Sequence, residues 1–482
     1  MKNSKTAHKA DSYWWFTGFV VLLVLLPLPF GSNRPWASNL FGLASSIFLA
    51  GMAWHTYLKP QPIHENFPIK RITASALLVS AVIAWAFIQI IPITPTSWHH
   101  PLWNEVKDVV NSRGSISIDP GVFPESIIRI FGYIACFIMA FHGGRDEKRA
   151  VWMLKMLTYA GLAYAVYGII MQALDIQYVL WFEKWAYQGF VTSTFVNKNS
   201  YATYAGLGLL CSAGYVKEYF SEKYARKTKT IKPAPKNAWL QELDLKDLFH
   251  CFIPMIILGA LILTSSRAGF LSMILGMVAF ISALSLNQRH RGHSWIISAV
   301  AAVVLVVALV GIGGDTLLSR SNEQMLDSDM STRVAAYKLE LQAVADNPLF
   351  GSGLGTFENA FRLYRDSSLP LWFQHAHNDY LEMAMELGLP ATLSFLAAIA
   401  ILVSCCIQGV WKRKRLGEIP AIGFAASVLV GVHATADFSM QMPAIAATYS
   451  ALLGLGISQS WSGRGKDQCG KTWSNKSKKR KI

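Results

Sequence analysis

Runs of about 18 to 23 mostly apolar residues alternate with short polar stretches along nearly the whole chain. Each run is long enough for a helix to cross a hydrocarbon core about 30 Å thick. Backbone groups in lipid must be satisfied within the element, which leaves helices or closed barrels. Barrel strands would be shorter and would alternate apolar with polar residues, and these runs do not. The pattern predicts an all-α polytopic membrane protein of about twelve spans, near 14–30, 38–57, 72–93, 125–142, 151–173, 199–217, 248–265, 268–286, 295–313, 388–408, 419–436 and 441–459. No internal repeat is visible, so nothing suggests a transporter built from two related halves.

Composition agrees. The 482 residues are 52% hydrophobic and 15% charged, where a soluble chain is nearer a quarter charged. The net charge of +15 sits in the polar stretches between apolar runs, so topology accounts for it better than nucleic-acid binding does. With the N-terminal Lys2, Lys5 and Lys9 in the cytoplasm, Lys59, Lys70, Arg71, Arg145, Lys148, Arg149, Arg289, Arg291, Lys412 to Arg415 and the tail from Lys478 to Lys481 also fall inside. Both termini are then cytoplasmic. The basic segment 218–247 reads as an inside linker facing anionic headgroups. The six cysteines show no disulfide framework. The first apolar run lacks a small-x-small cleavage site and reads as a span.

Three outside segments, 94–124, 174–197 and 314–387, are too long for simple turns. The last is expected to hold a helix at 332–346, capped by Ser331 or Thr332, with Val334, Tyr337, Leu341 and Val344 on its apolar face and Asn347-Pro348 at its end. Gly351-Ser-Gly-Leu-Gly355 has neither the spacing nor the βαβ frame of a dinucleotide fingerprint and reads as a glycine turn after that helix.

Four groups of polar residues carry possible chemistry. His375-Ala-His377-Asn378-Asp379-Tyr380 admits three readings: an interfacial polar cluster, a metal site with Asp379 as third ligand, or a general base oriented by Asp379 or Glu382. Arg267 lies in a short outside turn, against the positive-inside bias; it is either a snorkelling anchor or an anion ligand whose fork matches phosphate. Asn197, Lys198 and Asn199 stand at the outer start of span six, where asparagines either cap the helix or serve a site. His433 and Asp437 lie in and just after span eleven, at a depth where ionisable groups are paired or functional.

Taken together, residues 190 to 460 resemble the O-antigen ligase and O-antigen polymerase superfamily of bacterial envelope glycosyltransferases. The resemblance rests on Arg333-Val-Ala-Ala-Tyr337, Asn347 through Gly355, His375 through Leu381 and Glu386-Leu-Gly-Leu-Pro390. Thr194 to Asn199, Leu263 to Gly269 and Ala436 to Pro443 are similar to further family landmarks. Ligases of this family have His, then Asn, Ser or Gln, then nine residues, then Gly-x-x-Gly. Here His377-Asn378 is followed at that spacing by Gly388, while Ala391 replaces the second glycine.

The resemblance implies a donor glycan on undecaprenyl diphosphate, attacked by an acceptor hydroxyl at the periplasmic face of the inner membrane. It implies His377 as catalytic histidine with His375 beside it, and Arg267 and Lys198 as diphosphate ligands. Asn197, Asn199, Asn378, Asp379 and Asp437 are expected to support them. No metal and no other cofactor is expected. The acceptor is lipid A-core for a ligase, a second lipid-linked glycan for a polymerase, or a protein hydroxyl; the His-Asn-x9-Gly spacing leans toward ligase. A lipid or solute transporter is the reading from another class, supported by the span count and by His433 and Asp437. The expected organisation is 1–190 as N-terminal helices, 191–460 as the ligase-like core and 461–482 as a basic cytoplasmic tail.

Overall fold

A computed structural model describes residues 13–59, 68–106, 109, 113–227, 244–286, 320–367, 369, 373–413 and 415–461. Its helices are α1 (Trp14–Leu25), α2 (Pro35–Leu58), α3 (Ile69–Ile90), α4 (Leu102–Val106), α5 (Phe123–Gly143), α6 (Glu147–Ala173), α7 (Lys198–Lys227), α8 (Leu245–Leu263), α9 (Arg267–Leu286), α10 (Arg320–Asp346), α11 (Phe357–Phe361), α12 (Asp379–Leu387), α13 (Leu389–Lys412), α14 (Glu418–His433) and α15 (Pro443–Ser458). A two-residue hairpin, β1 (Tyr178–Val179) with antiparallel β2 (Phe182–Glu183), sits between α6 and α7.

The expected ninth span, 295–313, lies outside the described residues; the other eleven each fall on a helix. Seven described helices are long and apolar enough to cross a membrane: α2, α3, α5, α6, α8, α9 and α13. Three more, α1, α14 and α15, are apolar but shorter. Large apolar side chains such as Leu40, Leu43, Ile47, Leu77, Leu271 and Leu393 are exposed on the bundle. Water would make that costly, and a lipid solvent does not.

Helix ends follow local chemistry. Asp146 caps α6 by accepting from Arg149 N, and Asp244 with Asp247 forms a reciprocal box at the start of α8. Inside the bundle, small residues let backbones approach. A Cβ on Gly161 would stand 3.2 Å from Gly208 Cα where α6 meets α7, and one on Gly454 would stand 2.4 Å from the Phe137 carbonyl where α15 meets α5. Ala391, at the position where the family motif has its second glycine, is buried with Val82, Ala86, Phe123, Leu354 and Leu387. Alanine is small enough for that contact.

Helix α10 starts well before Ser331, so neither Ser331 nor Thr332 is its cap, and it ends at Asp346 as Asn347-Pro348 requires. Its buried face also differs from expectation. Val334 and Leu341 are exposed, while Ala336, Glu340, Ala343 and Val344 are buried. The small alanines let α10 pack closely on α12, and Glu340 is carried inward with them.

The segments joining the helix ends are bound together at one end of the bundle. Gln89, on α3, donates to the Phe350 and Glu386 carbonyls at 2.7 and 2.8 Å. Ile118 N donates to Ser352 O, and Ser352 N to Met385 O. The glycine turn interlocks with the α12–α13 junction. A Cβ on Gly351 (φ +70) would lie 2.3 Å from the Glu386 carbonyl, and one on Gly388 (φ +79) 2.4 Å from the Leu349 carbonyl. Both positions need glycine for backbone angle and for space. Gly388 therefore fixes how α12, which follows the His-x-His segment, meets the membrane helix α13.

Candidate active site

Asn378 caps α12, its side-chain oxygen accepting from Tyr380 N and Leu381 N at 3.1 and 3.2 Å. This cap holds the preceding segment, 373–377, over the turn that follows α14. Asp379 N donates to Ala434 O at 2.9 Å, Asn378 Nδ2 reaches Thr435 O at 3.3 Å, and Met440 N donates to Asp379 Oδ2 at 3.3 Å. Asn378 and Asp379 thus shape the segment.

The two histidines turn to different carboxylates. His375 Nδ1 lies 3.0 Å from Glu382 Oε1, and the other Glu382 oxygen accepts from Ala376 N at 2.9 Å. Burial would lower the His375 pKa, but Glu382 more than offsets it, and the net shift is upward. His377 Nδ1 lies 3.4 Å from Asp437 Oδ1. That distance is long for a hydrogen bond, and Nδ1 has no aligned partner. Phe438 touches both rings, stacked with His375 at 4.7 Å and edge-on to His377 at 4.8 Å. Among the described residues, no three His, Cys, Asp or Glu side chains are placed to hold a metal ion. Asp379, weighed above as a third ligand, faces Met440 N instead. Its carboxyl is pushed well above the usual range by burial and then by Glu382.

Asp437 is fully buried. Its Oδ1 also lies 3.4 Å from Asn197 Nδ2 and 3.5 Å from Asn199 Nδ2, and Ser439 Oγ donates to Oδ2 at 2.8 Å. Burial alone would raise its pKa; the contacts from His377, His433 and Ser439 bring it down to about 2. Asp437 is therefore an anion at neutral pH, with Nδ1 of His377 against it. Nε2 of His377 is left for other work, and 19% of that side chain remains exposed for a substrate to reach.

The remaining residues gather behind this pair. Asn197 Oδ1 accepts from Asn199 N, and Asn199 Oδ1 accepts from Ser266 Oγ at 2.8 Å. This ties the start of α7 to the turn whose next residue, Arg267, opens α9 and is exposed. Lys198 opens α7, with Nζ 3.7 Å from the centre of the Phe190 ring and 5.9 Å from that of Tyr187. His433, at the end of α14, is buried with Nδ1 3.0 Å from Thr203 and 3.1 Å from Ser439. Asn197, Asn199, Asp437, His433 and the His-x-His segment are thus joined in one network, and Lys198 and Arg267 adjoin it in the chain, beside Asn199 and Ser266. The sequence reading did not pick out the hydroxyls of Ser439, Thr203 and Tyr337, which join them; isolated Ser, Thr and Tyr residues carry no such signal.

Comparison with known families turns on the stretch running from α8 into α13, which holds Arg267, α10, the glycine turn and both histidines. Residues 252–396 match the family model described as O-antigen ligase. Over that stretch, about a third of the chain, the protein is similar to the O-antigen ligase family. No curated protein matches the chain. The family implies a glycosyltransferase-like enzyme with glycan and lipid-linked substrates in a membrane setting. Asn197, Asn199, His433 and Asp437 lie outside the matched stretch, yet they are built into the same constellation.

One residue of the matched stretch has no counterpart in the expectations. Glu340 is fully buried on α10 with both carboxyl oxygens unpartnered. Burial, then repulsion from Glu382, pushes its pKa up to about 9. The folded state thus keeps a proton that the unfolded chain, titrating near 4.5, releases. Between these values the folded form binds more protons, so this group makes stability fall as pH rises from about 4.5 to about 9. Glu340→Gln removes the titration. Melting in detergent should show the variant more stable than wild type at pH 8, by several degrees on the order expected for a few kcal/mol. The difference should close toward pH 5. A gap that does not change with pH would show that Glu340 is ionised in the fold.

Proposed function

We propose that the protein moves a glycan from undecaprenyl diphosphate to an acceptor hydroxyl at the periplasmic face of the bacterial inner membrane, in the manner of an O-antigen ligase. The observation that carries this reading is His377. It stands in a stretch matched by the O-antigen ligase family and has Nδ1 against the buried anion Asp437.

In the proposed reaction the acceptor hydroxyl attacks the anomeric carbon, and the bond from that carbon to the diphosphate oxygen breaks. The hydroxyl proton passes to Nε2 of His377. The imidazolium so formed is stabilised by Asp437. The electron pair leaves with the lipid diphosphate, whose added charge Arg267 and Lys198 stabilise. Asn197, Asn199 and Ser439 hold Asp437 by direct contacts, and Ser266 acts through Asn199. His375, held by Glu382, supports the same segment. Both termini are proposed to be cytoplasmic.

The test is transfer with purified protein. Undecaprenyl-diphosphate glycan is offered with lipid A-core, a second lipid-linked glycan, or a Ser/Thr peptide, each with and without EDTA, and the glycan product is followed by mobility. Product with lipid A-core that resists EDTA is the expected result. Product only with the second lipid-linked glycan would make the protein a polymerase of the same family. No product with any acceptor, from protein shown to be folded, would overturn the transferase reading and favour transport.

A further inference from the structure

His377 has φ +51, a left-handed conformation that a side chain with a Cβ rarely adopts. Such a backbone persists only where its surroundings over-determine it. Here the surroundings include a partner from another element. The Tyr337 hydroxyl, on α10, donates to the His377 carbonyl at 2.9 Å. One turn earlier on the same helix, Arg333 Nη1 donates to the carbonyl of Ala436 at 2.7 Å. Ala436 directly precedes Asp437, so a single helix face holds the main chain at both His377 and Asp437.

We propose that Tyr337 is a positioning residue: its hydroxyl holds the left-handed peptide of His377 and so sets the imidazole against Asp437. The carbonyl direction and the φ of His377 belong to adjacent torsions. Releasing the carbonyl lets the residue relax toward negative φ, which swings the side chain off Asp437. The ring of Tyr337 is not needed for this, only its oxygen. The role in catalysis rests on the proposed transferase reading; the geometric role does not.

Tyr337→Phe in the full-length protein tests both. The transfer rate at saturating donor should fall about ten-fold with the donor KM unchanged, since binding groups are untouched. In an Asp437→Asn background the same change should cost little more, because the pair it sets is already broken. The third readout needs no activity. Diethylpyrocarbonate modifies the neutral imidazole, and mass spectrometry separates sites. His377 should react several-fold faster in Tyr337→Phe, with His375 as an unchanged internal reference. Wild-type reactivity of His377 in the variant would overturn the proposal even if no acceptor supports transfer. So would a Tyr337→Phe loss that adds fully to that of Asp437→Asn. Equal acceleration at His375 and His377 would mean general loosening and would also overturn it.

Discussion

His377→Ala should lower the transfer rate by about 10² to 10⁴-fold, the range a general base contributes, while the protein still binds its lipid donor. That span corresponds to about 3 to 5.5 kcal/mol of transition-state stabilisation. The size of the effect follows from placement. Nδ1 stands 3.4 Å from Asp437, which in the proposed reaction leaves Nε2 to meet the acceptor. His375 is committed to Glu382 and the Ala376 amide. His375→Ala should therefore cost less than His377→Ala. Single-turnover transfer measures the rate and donor binding the affinity. A His377→Ala protein with undiminished rate would remove His377 as the base and leave the family resemblance standing.

Asp437→Asn should cost about 10² to 10³-fold, for a different reason. The substitution keeps the shape and removes the charge. Asn197, Asn199 and Ser439 converge on Asp437, and His377 stands against its Oδ1. In the variant the imidazolium formed on proton transfer would be partly buried without an anion. Breaking one partner of a buried pair costs about 3 to 5 kcal/mol. Here the penalty falls on the charged transition state more than on the neutral ground state. The donor KM should stay constant while kcat falls. A loss confined to KM would show that Asp437 serves binding and not the histidine.

Much of the membrane architecture was legible, because lipid leaves a chain few options: an apolar run of adequate length becomes a helix. The limits of the reading are local. Helix α10 was expected to bury Val334 and Leu341, and it buries Glu340. Periodicity finds an apolar stripe, but which face is covered depends on how closely the partner helix approaches, and Ala336 and Ala343 decided that. His377 and Asp437 were both marked from sequence, one by motif and one by its depth. Their contact was not readable, since it depends on the register between two elements 60 residues apart in sequence (437 minus 377). Tyr337 was expected as an apolar contact on a helix face, and its hydroxyl became a main-chain ligand. The general base was expected to be oriented by Asp379 or Glu382; Glu382 turns to His375 instead, and His377 stands against Asp437.

The family match ends at residue 396, yet the counter-ion of the histidine sits at 437 and the asparagines that hold it at 197 and 199. The chemistry is therefore not portable with the segment that most resembles other proteins. A chimera that exchanges only 252–396 with a relative would carry over a histidine evolved against one partner and set it before another. Grafts that respect the site exchange three segments, not one: the start of α7, helix α10 with the His-x-His segment, and the turn between α14 and α15 travel as one heritable block.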